Sequence, residues 1–130
     1  MSERLYGDAK ATARVADSNR KQKALEDAEM KVRQDPSVRS HMKLVNALFD
    51  LGRFEDAERE VNRLLSAYGE DLQALTDLGF IYKNLGRRDE AMKTFQRVVA
   101  LEPRHALARC AENEIFAIDP SIKPSWMRRD

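Results

Sequence analysis

Shifting the chain by 34 positions superimposes Leu44 on Leu78, Leu48 on Tyr82, Gly52 on Gly86, Ala57 on Ala91 and Val61 on Phe95. Matches at one fixed offset imply a repeated unit, and a period of this length restricts the chain to arrays of short supersecondary elements. Within each period apolar residues step by three and four, as in Leu44, Leu48, Leu51 and again in Leu75, Leu78, Tyr82, Leu85. That rhythm gives each segment one buried helical stripe. Glycine and proline fall at intervals rather than in clusters, so they punctuate helices rather than build loops. The spacing predicts helices over 38–51, 54–67, 72–85, 88–101 and 105–118. Their connections are short, which makes consecutive helices antiparallel neighbours. The fold class is all-α.

The turn Leu51-Gly52-Arg53-Phe54-Glu55-Asp56-Ala57 is echoed by Leu85-Gly86-Arg87-Arg88-Asp89-Glu90-Ala91. Each places acidic residues in a first helical turn, where the macrodipole favours them. Residues 72–103 carry Leu75, Leu78, Gly79, Tyr82, Ala91, Phe95 and Pro103 at the spacing W-x2-L-G-x2-Y, A-x3-F, P, with Leu in place of Trp. On these positions the chain resembles the tetratricopeptide-repeat family. The resemblance implies antiparallel helix-turn-helix repeats stacked in a right-handed superhelix, a solenoid closed by a C-terminal capping helix. In such a unit Gly79 permits close approach of the paired helix, Tyr82 and Phe95 fill the interhelical space, and Ala91 sits where two backbones nearly touch. The unit 38–71 is less regular, with His41, Val45 and Gly69 at the Trp, Gly and Pro positions.

These readings divide the chain into an N-terminal arm or degenerate first helix (1–21), a repeat domain (22–118) with clear repeats at 38–71 and 72–105 and a capping helix at 105–118, and a tail (119–130). Ala24, Leu25, Ala28 and Val32 before Asp35-Pro36 look like the second helix of a further repeat. The apolar residues of 5–18 are mostly alanines, with one Leu, one Tyr and one Val, and the segment fits a packed helix, a mobile arm, or a long helix running into 22–34. The tail residues Pro120-Ser121-Ile122-Lys123-Pro124-Ser125-Trp126 cannot propagate a helix. Two fates are open to them: folding over the capping helix near Phe116 and Ile118, with Trp126 covered, or exchange into a neighbouring molecule.

The resemblance also implies a function, because the first helices of such repeats line a groove that grips a segment of another protein. Family members act as adaptors, co-chaperones or assembly scaffolds. The family's groove positions fall on Arg39, Met42, Lys43, Asn46, Phe49 and Asp50, and on Gln73, Thr76, Asp77, Phe80, Lys83 and Asn84. Amide and charged groups with two phenylalanines suit a peptide main chain and its apolar side chains, although a polar helix face with an occasional aromatic is also ordinary solvated surface. One subtype of the family clamps the acidic C-termini of heat-shock chaperones with Lys, Asn and Arg. Here Asn46 fits that clamp, but Met42, Asp77, Leu107 and Ala111 stand where basic or amide groups are needed, and Asp77 would repel a carboxylate.

Other function classes find little support. The 23 Lys and Arg nearly balance 22 Asp and Glu, and the doublets Arg87-Arg88 and Arg128-Arg129 sit amid acids, so nucleic acid is not an expected partner. No apolar run approaches the roughly 20 residues of a membrane span, the start lacks a translocon signal, and the expected location is the cytoplasm. His41 and His105 form no HxxxH or CxxC arrangement, no phosphate-cradling GxxxxGK is present, and no base accompanies Cys110. A binding module without catalytic residues, metal or cofactor is the expectation, with homo-oligomerisation through the terminal helix or tail as the alternative.

Overall fold

A computed structural model describes residues 2–128, with side chains from Lys10 onward. Six α-helices and a short 3-10 turn follow one another: α1 (Ser2–Gln34), α2 (Val38–Asp50), α3 (Phe54–Tyr68), α4 (Leu72–Asn84), α5 (Arg88–Leu101), α6 (Ala106–Ile118) and the turn Ser125–Met127. Among the described residues there is no strand, and α2 to α6 lie within one residue of the boundaries that periodicity predicts at each end. The chain resolves into two compact units, Met1–Arg53 and Phe54–Asp130.

In the first unit α1 packs against α2. Leu25 and Ala28 of α1 and Leu44, Val45, Ala47 and Leu48 of α2 are buried. The helix α2 begins at a capping box: Ser37 Oγ accepts from Ser40 N–H at 3.1 Å while Ser40 Oγ accepts from Ser37 N–H at 2.9 Å. Two orphan donors of the first turn are thereby satisfied. One uninterrupted helix spans residues 2–34, so the chain does not turn back between 5–18 and 22–34. No glycine or proline interrupts residues 8–34.

In the second unit α4, α5 and α6 enclose the core. Leu75, Ala91, Phe95, Val98, Ala111 and Ile115 form its buried cluster, with Phe80, Tyr82, Leu107 and Ile118 packed against the edge. Phe95 and Ala91 are fully buried. Gly79 is where α4 meets α5: a Cβ there would stand 2.5 Å from Phe95 Cε1, so only glycine admits that ring. Beside it Phe80 meets Phe95 edge-on, ring centroids 5.3 Å apart, an arrangement that aromatic quadrupoles favour.

The repeat is visible in the helix ends as well. After α2, Arg53 N–H donates to Leu48 O and Gly52 N–H to Phe49 O; after α4, Arg87 N–H donates to Tyr82 O and Gly86 N–H to Lys83 O. Both are Schellman stops, and they require the left-handed backbone that Gly52 (φ 74°) and Gly86 (φ 77°) supply.

The tail returns to α6. Glu112 Oε2 accepts from Ser125 N–H at 2.9 Å and from Ser125 Oγ–H at 2.8 Å, and Pro124 is fully buried. Trp126 donates its indole N–H to Asn113 Oδ1, yet the residue is 64% exposed. The expected cover for this tryptophan is not found. The buried ring of the tail is that of Pro124, because the Ser125 anchor turns the following residue outward.

Candidate functional site

The two sets of sequence-derived positions lie in different units, six on α2 and six on α4. On α2, Arg39, Lys43, Asn46 and Asp50 are exposed, while Met42 and Phe49 are half-buried. Lys43, Asn46 and Asp50 recur at steps of three and four on one face. With Ala24, Asp27, Ala28, Lys31 and Ala47 they line an open cleft of about 510 Å³ between α1 and α2. Its floor is alanine and its rim carries cations, carboxylates and an amide. Arg39 lies beyond it, beside Ser37 and Lys31 in a smaller recess of about 250 Å³.

On α4, Gln73, Asp77, Phe80 and Asn84 make one stripe at steps of four, three and four. Gln73 Nε2 donates to Asp77 Oδ1 at 2.9 Å, and Asn84 Nδ2 donates to the Phe80 carbonyl at 2.8 Å. Lys83 leans towards α6, where its Nζ meets Glu114 Oε2 at 2.8 Å and stands 6.0 Å from the centre of the Phe80 ring. Burial pushes the Asp77 carboxyl above the usual aspartate range; the Gln73 hydrogen bond works against that shift and the charge of Asp71 adds to it.

Thr76 corrects the expectation. It is 2% exposed, and its hydroxyl donates to the Leu72 carbonyl one turn earlier at 2.7 Å. This back-bonding is the usual resort of a threonine inside a helix. Thr76 belongs to the packed side of α4 and offers nothing to a ligand.

Residues from the neighbouring helices complete each face. Lys31 and Asp27 of α1 enter the first cleft. In the second unit α6 brings Leu107, Cys110 and Glu114, which are half-buried. One more application of the 34-residue shift carries Gln73 to Leu107, Thr76 to Cys110 and Phe80 to Glu114, so the signal was present in the period. Burial, then the charge of Glu114, raises the Cys110 thiol, the reverse of what a nucleophile needs. Among the described residues no group of three His, Cys, Asp or Glu side chains could hold a metal ion. No described helix is long and apolar enough to cross a membrane.

Residues 48–111 match the family model of a tetratricopeptide repeat. A TPR repeat-containing protein of Methanocaldococcus jannaschii is 34% identical over 80 residues, covering 62% of this chain and 23% of that protein. The match therefore spans less than a quarter of the archaeal relative's length. Among solved structures, the first TPR of Spaghetti (RPAP3), bound to an HSP90 peptide SRMEEVD, superimposes with a TM-score of 0.68 at 22% identity, covering 86% of this chain and 87% of that one. The Arabidopsis OM64 TPR domain gives a TM-score of 0.66 at 19% identity, covering 81% and 88%. MamA of MSR-1 gives 0.57 at 17%, covering 82% and 64%.

Proposed function

Because residues 48–111 of this chain belong to the tetratricopeptide-repeat family, we propose that it is a protein–protein interaction module, an adaptor, co-chaperone or assembly scaffold that grips a partner segment at the groove positions of its first helices, those of α2 in the first unit and those of α4 in the second. The observation that carries this reading is the cleft between α1 and α2. Three residues selected from the repeat register alone, Lys43, Asn46 and Asp50, all line it. Its volume lies in the range of ligand-binding clefts, and its amide and charged rim over alanine suits a peptide backbone.

The test is affinity capture of cellular proteins by the purified chain beside a Lys43→Glu, Asn46→Ala, Phe80→Ala variant whose helicity is verified by circular dichroism. Partners retained by the parent and lost by the folded variant support the reading. Capture of the same proteins by both, or of none, removes it.

A second reading is self-assembly through α1. Every side chain from Lys10 to Ala24 except the half-buried Lys21 is exposed, so this part of the helix leaves most of its surface open to a second copy. The tail is less suited to exchange, since Glu112 and Asn113 already hold it. On this reading deletion of residues 2–24 lowers the oligomer mass measured by light scattering, whereas deletion of 119–130 leaves it unchanged. A monomeric parent chain would end it.

A further inference from the structure

The face that α4 shares with α6 has a chemistry of its own. Asp77 receives one hydrogen bond, from the neutral amide of Gln73, and no cation of the described residues pairs with it. The other acid on this face, Glu114, is already neutralised by Lys83 at 2.8 Å. One turn beyond Asp77 lies Phe80, half-buried, nearly perpendicular to Phe95 and with Lys83 Nζ 6.0 Å from its ring centre, which leaves the rest of its exposed surface to a ligand. Leu107 and Cys110 of α6 continue the apolar surface. The face thus offers one uncompensated carboxylate beside an aromatic ring.

We propose that this face of the second unit takes a partner segment presenting an arginine or lysine, whose aliphatic stem lies along Phe80 and whose charged head pairs with Asp77. The inference rests on the interaction-module reading above and adds the partner's chemistry to it. A guanidinium suits both groups, since it forks onto a carboxylate and stacks on a ring. Its stem covers apolar surface while its head stays polar. An acidic segment meets the opposite: Asp77 repels it, and Lys83 is already engaged. Burial has raised the Asp77 carboxyl, and an incoming cation would relieve that cost by favouring the ionised form.

The test is selection of a phage-displayed random dodecapeptide library on the immobilised full chain, with Phe80→Ala and Asp77→Asn variants, both verified as helical, selected in parallel. The expected result is enrichment of sequences with Arg or Lys next to an apolar residue, lost on both variants. A resynthesised winner should bind about tenfold more weakly when its basic residue becomes Glu, and Asp77→Asn should erase most of that difference. Winners that need Phe80 but carry no basic residue, or that keep their preference with Asp77→Asn, overturn the inference and leave the module reading in place. If no sequence is enriched in a Phe80-dependent way, both fall for this face.

Discussion

An alanine at position 79 would press its Cβ against three atoms of the Phe95 ring, at 2.5, 2.7 and 2.8 Å. Phe95 is fully buried, so the ring has no free space to swing into. Two effects compete. Alanine is better than glycine in a helix interior by about 1 kcal/mol, whereas overpacking a close-packed core costs about 1–3 kcal/mol. A contact this short puts the cost at the upper end, and Gly79→Ala should lose about 1–2 kcal/mol net. The urea midpoint should fall at unchanged slope. A double-mutant cycle with Phe95→Leu checks the cause, because most of the Gly79→Ala loss should disappear once the ring is gone. Undiminished loss in the double variant would place the strain elsewhere. The repeat pattern marked Gly79 as a point of close helix approach and Phe95 as a filler of the interhelical space, without pairing the two. It could not separate Thr76 from its neighbours, because a groove register gives direction around the helix but not depth. The Thr76 hydroxyl is satisfied by its own helix at Leu72, a local choice that no periodicity records.

At the scale of elements, the 34-residue period located α2 to α6 well because each carries a single apolar stripe between defined stops. The two Schellman turns show why the ends were legible: in both, glycine follows leucine and the chain leaves by a basic residue. Apart from its own chain neighbours, neither Gly52 nor Gly86 has an atom within 4 Å of where a Cβ would stand. The cost of Gly52→Ala or Gly86→Ala is therefore a backbone cost alone. A left-handed residue with a side chain loses about 1–2 kcal/mol, less a few tenths regained from a stiffer unfolded chain. The two substitutions should lower the thermal midpoint by similar amounts, and Asn at either site should cost less than Ala. A much larger effect at one site would reveal a contact that the turn geometry lacks. The helix α1 was the element least legible from sequence. Ala24, Leu25, Ala28 and Val32 marked its C-terminal part as helical, but the alanines and charges of 5–18 give no stripe, so that part fitted an arm, a packed helix or a continuous one. Its continuity to Gln34 follows from the absence of any breaker after Gly7. The tail was legible in outline, as a segment that cannot be helical. Its anchor was not, because the Glu112–Ser125 hydrogen bonds join residues with no spacing signature.

At the scale of the whole molecule, stability and charge are distributed unequally along the chain. Residues 10–24 hold Lys10, Arg14, Arg20, Lys21 and Lys23 against Asp17 alone, although the whole chain carries only +1. This basic stretch is helical and exposed, with Val15 at 58%, and the ion pair of Lys21 with Asp17 at 3.4 Å lies on its surface. Exposed pairs of this kind contribute a fraction of a kcal/mol. A helix persists there because the packed turns around Leu25 and Ala28 remove the nucleation penalty for what precedes them. Its removal should therefore leave the fold's stability nearly untouched. Deleting residues 2–24 is expected to change the unfolding free energy from urea titration by no more than a surface substitution would, about 0.5 kcal/mol, while far-UV ellipticity falls with the helix removed. Dilution separates the two readings of α1. If the arm joins copies, the parent's midpoint falls towards that of the truncated chain as protein concentration is lowered, since association stabilises by mass action. If the arm serves a foreign partner or none, the two midpoints agree at every concentration.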